Sequence, residues 1–141
     1  MLKADHQKVR ELFQDYEKAQ EQKSKHKIAH QVFVELETHA QLEENVFYPA
    51  FKQEADKEGK QLVAESLEEH QMVKDLIEAL RKLDSDDAAF DDKFRELMEN
   101  VAHHVAEEES EMFLEAELAL TEQAEELMEE MQELKKRLLT S

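Results

Sequence analysis

His39-Ala40-Gln41-Leu42-Glu43-Glu44-Asn45-Val46-Phe47-Tyr48-Pro49 sets a histidine and a glutamate four residues apart within an apolar period. On an α-helix that spacing puts both side chains on one face. The pattern returns in His104-Val105-Ala106-Glu107-Glu108-Glu109-Ser110-Glu111-Met112-Phe113. A second repeat lies upstream of each copy: Asp5-His6-Gln7-Lys8-Val9-Arg10-Glu11-Leu12 and Glu69-His70-Gln71-Met72-Val73-Lys74-Asp75-Leu76. His6 precedes His39 by 33 residues and His70 precedes His104 by 34. The chain therefore reads as two helical hairpins related by a pseudo-twofold axis.

Working outward, steps of three and four trace one inward seam per helix. The first seam is Leu2, His6, Val9, Phe13 and Tyr16. The second is Val32, Leu36, His39, Glu43, Val46 and Ala50, with Phe47 beside it. The third is Val63, Ser66, His70, Val73, Ile77 and Leu80. The fourth is Phe90, Phe94, Leu97, Val101, His104, Glu108 and Met112. The spacing predicts helices over about 2–21, 25–57, 60–83 and 88–118, then a fifth ending near Leu139. Ser24 and Thr121 are candidate N-caps, Pro49 a kink, Gly59 the end of the second helix, and Asp84-Ser85-Asp86-Asp87 a capping turn. Short connections make neighbouring helices antiparallel. The fold class is all-α: an up-down four-helix bundle over 1–118, with an additional amphipathic helix over 119–141.

Composition agrees. The chain has 141 residues, enough for one domain, and only one glycine, one proline and no cysteine. Disulfides, thiolate sites and Gly-rich phosphate loops are thereby excluded, and the expectation is a reducing cytoplasm. No apolar run is long enough to span a membrane and no leader pattern opens the sequence, so no membrane partner is expected. A net charge of −18 repels phosphate backbones, which argues against nucleic acid.

One histidine in an apolar seam is usually a hydrogen-bonded core residue. Here every seam has a histidine at one level, and two add a glutamate a turn later. Imidazole nitrogen with carboxylate oxygen suits iron, manganese or zinc. Buried carboxylates must be protonated, paired or coordinated. The candidate metal ligands are His6, His39, Glu43, His70, His104 and Glu108, with the two glutamates as bridges. His26 and His30 fall off the seams and read as surface residues, and His103 as surface or supporting. Tyr16 and Tyr48 read as packing residues. Glu35, four before His39, could bond the second ring nitrogen, although a solvated edge is an equal reading. No His-Glu-x-x-His or Glu-x-x-His pair occurs.

These motifs resemble the hemerythrin-like, or HHE cation-binding, family, bacterial members in particular. The resemblance rests on His6, His39-x-x-x-Glu43, His70 and His104-x-x-x-Glu108, and runs from about Leu2 to Glu115. It implies a four-helix bundle with two non-haem iron ions, bridged by carboxylates and an oxo or hydroxo group, that meets O2, peroxide or NO. Oxygen carriers of the family have a further histidine four after the third-helix one. That position is Lys74 here, and its repeat partner is Arg10. The set thus leaves one more open coordination position, which favours reaction or sensing over reversible carriage. Weak peroxidase- or catalase-like turnover is left open. The alternatives are iron buffering without turnover, or an interaction module with a structural metal.

The fifth helix has an apolar stripe, Leu120, Ala124, Leu127, Met131, Leu134 and Leu138. With no seam histidine or carboxylate, it is expected to lie outside the metal chemistry. It either covers the bundle as a flap or pairs with a second copy to make a homodimer.

Overall fold

The computed structural model of the chain describes residues 2–83 and 88–140, and the expected Asp84–Asp87 turn lies outside them. The described residues are helical with no strand: α1 (Leu2–Lys18), α2 (Gln22–Leu42), α3 (Tyr48–Glu54), α4 (Lys57–Lys82), α5 (Ala88–Glu107), α6 (Phe113–Ala119) and α7 (Ala124–Thr140). A π-turn at Glu43–Phe47 joins α2 to α3 without a break, and another at Glu108–Met112 joins α5 to α6. Four rods result, α1, α2–α3, α4 and α5–α6, with α1 against α2 and α4 against α5.

The π-turns occupy equivalent places in the two repeats, beginning at the glutamate of each His-x-x-x-Glu. Tyr48 N–H bonds the Glu43 carbonyl and Phe113 N–H the Glu108 carbonyl, each spanning five residues. The extra residue advances everything that follows. The expected seam members Val46 and Ala50 are half-buried, whereas Phe47, Tyr48 and Phe51 fill the core. Pro49 does not break the rod. It is the second residue of α3, just past the π-turn, and has no N–H, so the return to α register strands no donor there.

Three expected boundaries move. Helix α2 begins at Gln22 rather than Lys25, from an extended Glu21 with no side-chain cap, and Ser24 is helical. Gly59 does not end the second rod; it lies in the first turn of α4, where its N–H donates to the Asp56 cap at 2.9 Å. A Cβ there would stand 2.6 Å from Ala55 Cβ, so the turn closes only over glycine. Thr121 does not cap α7. Its hydroxyl donates to the Glu117 and Leu118 carbonyls and closes the end of α6.

Two apolar clusters fill the bundle. One gathers Val9, Val32, Phe33, Leu80, Phe94 and Leu97; the other gathers Leu42, Tyr48, Phe51, Val63, Met112 and Phe113. Between them lies a buried polar layer of Asp5, His6, His39, Glu43, Ser66, His70, His104 and Glu108. Helix α7 crosses α2 and the first π-turn, burying Met131 on the second cluster, and Leu120, just after α6, is buried there too. Among the described residues no helix is long and apolar enough to cross a membrane.

Candidate metal centre

Each rod delivers one imidazole to the polar layer, and the two rods with π-turns add the glutamates. His6 and His39 stand with their Nε2 atoms 3.0 Å apart, and His70 and His104 with theirs 3.1 Å apart. Two nitrogens on one ion at roughly 2.1 Å, at right angles, lie about 3.0 Å apart. Each pair therefore has the spacing of two adjacent ligands on one metal. Glu43 Oε1 is 3.4 Å from His39 Nε2 and 3.0 Å from His70 Nε2. Glu108 Oε1 is 3.2 Å from His6 Nε2 and 3.3 Å from His104 Nε2. Both glutamates thus face both pairs. His6, His39, Glu43 and Glu108 form one group able to hold a metal; Glu43, His70 and His104 form another.

Hydrogen bonding fixes the direction in which the imidazoles present their lone pairs. Each Nδ1 meets a carboxylate: His6 with Glu109 at 2.9 Å, His39 with Asp5 at 3.1 Å, His70 with Glu44 at 2.8 Å and His104 with Glu69 at 2.8 Å. A carboxylate only accepts, so each Nδ1 is the N–H and each Nε2 lone pair points inward. The arrangement obeys the pseudo-twofold: Asp5 and Glu69 share a repeat position, as do Glu44 and Glu109. Cations stand behind three of the four, Lys135 on Asp5, Lys74 on Glu44 and Arg10 on Glu109.

Four inward lone pairs and two carboxylates leave the layer short of positive charge. Glu43 Oε2 and Glu108 Oε1 are buried with no hydrogen-bond partner. Buried acceptors without donors cost free energy, which a cation at these positions would recover. Burial opposes protonation of His39 and His104, but Glu43 and Asp5 raise the His39 pKa to about 10, and Glu108 and Glu43 raise that of His104 to about 11. Burial raises the Glu43 carboxyl, but His39, Glu108 and His104 outweigh it and hold it well below the usual range. The layer therefore demands protons or metal ions. These donors fit a pair of cations that accept nitrogen and oxygen.

Tyr48 is no mere packing residue. Its hydroxyl donates to Glu108 Oε2 at 2.6 Å and lies 3.1 Å from Glu43 Oε1 and 3.2 Å from His70 Nε2. Burial and the two carboxylates push its pKa upward, so it stays a phenol that keeps its proton beside Glu108. Its repeat partner, Phe113, stacks on His6 with centroids 5.6 Å apart. Straight steps of three and four from Glu43 miss residue 48, because the π-turn brings it round. Substituting Tyr48→Phe strips Glu108 of that donor. It is expected to destabilise the metal-free protein by about 1–3 kcal/mol, measured by denaturant unfolding of chelated samples. Equal midpoints would remove the hydroxyl from this account.

On the side away from Tyr48, a space of about 40 Å³ borders His6, His39, His70 and His104 beneath Val9, Leu36, Val73, Ile77, Val101 and Val105. One water needs roughly 10–15 Å³, so a diatomic or a peroxide has room.

Glu35 pairs with Lys8 at 2.8 Å, and Asp5 supports His39 instead. Lys74 Nζ binds Glu44 at 2.9 Å, gripping the carboxylate behind His70. His103 is exposed, 2.9 Å from Glu107 and 3.8 Å from Glu69. His26 and His30 pair with each other away from the layer. Tyr16 packs on Phe94 and donates to Asp91. Sequence reasoning missed Asp5, Glu44, Glu69 and Glu109, whose positions beside ligands within the repeat were the available signal. It also set α7 apart from the metal chemistry, whereas Lys135 of α7 binds the Asp5 carboxylate.

Residues 1–116 match the hemerythrin HHE cation binding domain. The chain is 30% identical over 105 residues to an uncharacterised hemerythrin-like protein of Schizosaccharomyces pombe, covering 74% of this chain and 52% of that protein. It is 29% identical over 116 residues to a DNA nickase of a Nostoc species, covering 80% of this chain and 31% of that one. The chain thus spans about half or less of the curated relatives it matches. A crystal structure of a hemerythrin HHE cation-binding domain-containing protein from Mycobacterium kansasii superposes with a TM-score of 0.79 at 22% identity, over 99% of this chain and 87% of that one. The chain belongs to the hemerythrin HHE cation-binding domain family, and its architecture is the all-α bundle of that family.

Proposed function

We propose that the polar layer holds two iron ions, one at His6 and His39 and one at His70 and His104, bridged by Glu43 and Glu108, and that the protein reacts with or senses O2, peroxide or NO. The observation that carries this reading is the pair of partnerless buried oxygens, Glu43 Oε2 and Glu108 Oε1, among four inward imidazole lone pairs. Iron bound there would supply one-electron redox chemistry and open coordination positions. The chain's own residues do the rest. The carboxylates behind each imidazole hold its ring and strengthen it as a donor. The valine and isoleucine side chains give the space beside the imidazoles an apolar lining with room for a small oxidant. The Tyr48 phenol holds a proton within reach of Glu108.

Elemental analysis of protein purified without added metal tests the cofactor. Two irons per chain, with near-UV absorption that changes on adding peroxide, support the reading. Zinc in place of iron, or no metal at all, would sink it. Iron with no spectral response to O2, peroxide or NO would leave buffering, the second reading. A further variant probes the open coordination position. Lys74 stands one turn after His70 and borders the space above the imidazoles. Replacing Lys74→His is expected to slow the peroxide reaction by closing that position. An unchanged rate in stopped-flow absorbance would show that residue 74 does not reach the centre.

A further inference from the structure

The pseudo-twofold relates the two halves of the polar layer, yet α7 breaks it. Lys135 Nζ donates to Asp5 Oδ1 at 2.9 Å, and Asp5 Oδ2 accepts from His39 Nδ1 at 3.1 Å. Asp5 is buried, so this bond joins α7 to a metal-facing imidazole through one carboxylate. The second link is apolar. Phe113 lies nearly parallel to the His6 ring, at 12°, and shares an apolar groove with Leu2 and with Leu127 and Met131 of α7. Helix α7 therefore bears on His39 through Asp5, and on His6 only through Phe113, the His6 ring having its own carboxylate, Glu109, held by Arg10. Their counterparts are backed from within the bundle: His70 by Glu44 and Lys74, His104 by Glu69 beside His103.

We propose that α7 governs one of the two metal positions selectively, with Lys135 as a positioning residue that acts on His39 through Asp5. Lys135 neutralises Asp5 and fixes the direction of its second oxygen, and so sets the ring orientation and donor strength of His39. Losing such an outer partner typically costs about 10–100-fold in metal affinity. The effect belongs to the ion at His6 and His39. Linkage makes it reciprocal: an ion at that position holds α7 in place more firmly than the metal-free layer does.

This inference rests on the two-iron reading, so iron is first counted in the unaltered chain. Fewer than two ions there would defeat the reading and the inference together. With two ions present, release to a ferrous chelator is followed in full-length Lys135→Met. The expected trace has two phases, half the iron leaving about 10–100-fold faster and half at the original rate. Lys135→Arg keeps the donor and should restore the slow trace. In Asp5→Asn, adding Lys135→Met should have no further effect, because the relay is already cut. Mössbauer spectra of the loaded variant should show one of two iron signals shifted. Unchanged release of both ions, or equal acceleration of both, would overturn the inference, the latter by showing that α7 merely stabilises the whole bundle. Circular dichroism identifies any variant that fails to fold, and Lys135→Leu, which likewise carries no donor, then takes the place of Lys135→Met with the same outcomes.

Discussion

Chelation of both ions at pH 7 is expected to lower the melting temperature by about 10 °C or more. A ligand held at 100- to 1,000-fold above its dissociation constant stabilises a fold by roughly 2.7–4.1 kcal/mol. For a domain of this size each kcal/mol moves the midpoint by about 2–8 °C. Two ions together therefore account for at least the stated drop. The physical cause is local. Without cations, four inward Nε2 atoms face Glu43 and Glu108 in a layer sealed by two apolar clusters. Two of the glutamate oxygens then have no partner. Calorimetric scans of chelated and reloaded protein, with metal content checked in both, measure the difference. Superimposable scans from demonstrably metal-free and metal-loaded samples would show that the polar layer is not a metal centre.

The second large effect is on pH dependence, where the two forms should run in opposite directions. In the metal-free protein His39 and His104 titrate at about 10 and about 11, above their ordinary 6.5. A raised folded pKa contributes stability that is complete below the unfolded value and lost as pH climbs through the folded one. Glu43 is lowered below its ordinary 4.5, so its contribution holds above that value and is lost as pH falls. Metal-free protein should therefore be most stable between about pH 5 and 6.5 and weaken toward pH 10. The loaded protein should gain over the same range, because metal must displace those imidazole protons and does so more easily as pH rises. The gap between the two melting temperatures should widen by several degrees from pH 6 to pH 9. Metal uptake at pH 7 should release protons, measurable with an indicator dye in weak buffer. A gap that narrows with pH would mean that the imidazoles are already neutral without metal.

Much of this was legible in the chain itself. Seam periodicity gave four rods and an amphipathic fifth segment, because burying an apolar stripe is the dominant gain open to a glycine-poor, helix-favouring chain. The internal repeat carried the His6, His39, His70 and His104 level with Glu43 and Glu108, since a spacing of four keeps two side chains on one helix face. Helix ends were less legible. Caps at Ser24 and Thr121 contribute little against hairpin packing, and neither decides where its helix begins.

What only tertiary structure decided is everything that depends on register after the π-turns and on contacts between rods. A single extra residue in the turn at Glu43–Phe47 carries Tyr48 into the centre and leaves Val46 half-buried, and no count of three and four contains that shift. The carboxylates behind the imidazoles come from other rods: Asp5 for His39, Glu69 for His104, Glu44 for His70 and Glu109 for His6. Glu35, the local choice for His39, is drawn to Lys8 instead. Lys135 meets Asp5 across 130 residues of sequence. Helical period determines which face of a rod is buried. Which charged group across the interface completes a hydrogen bond depends on the height and rotation of the neighbouring rod, and those are set when the two apolar clusters pack.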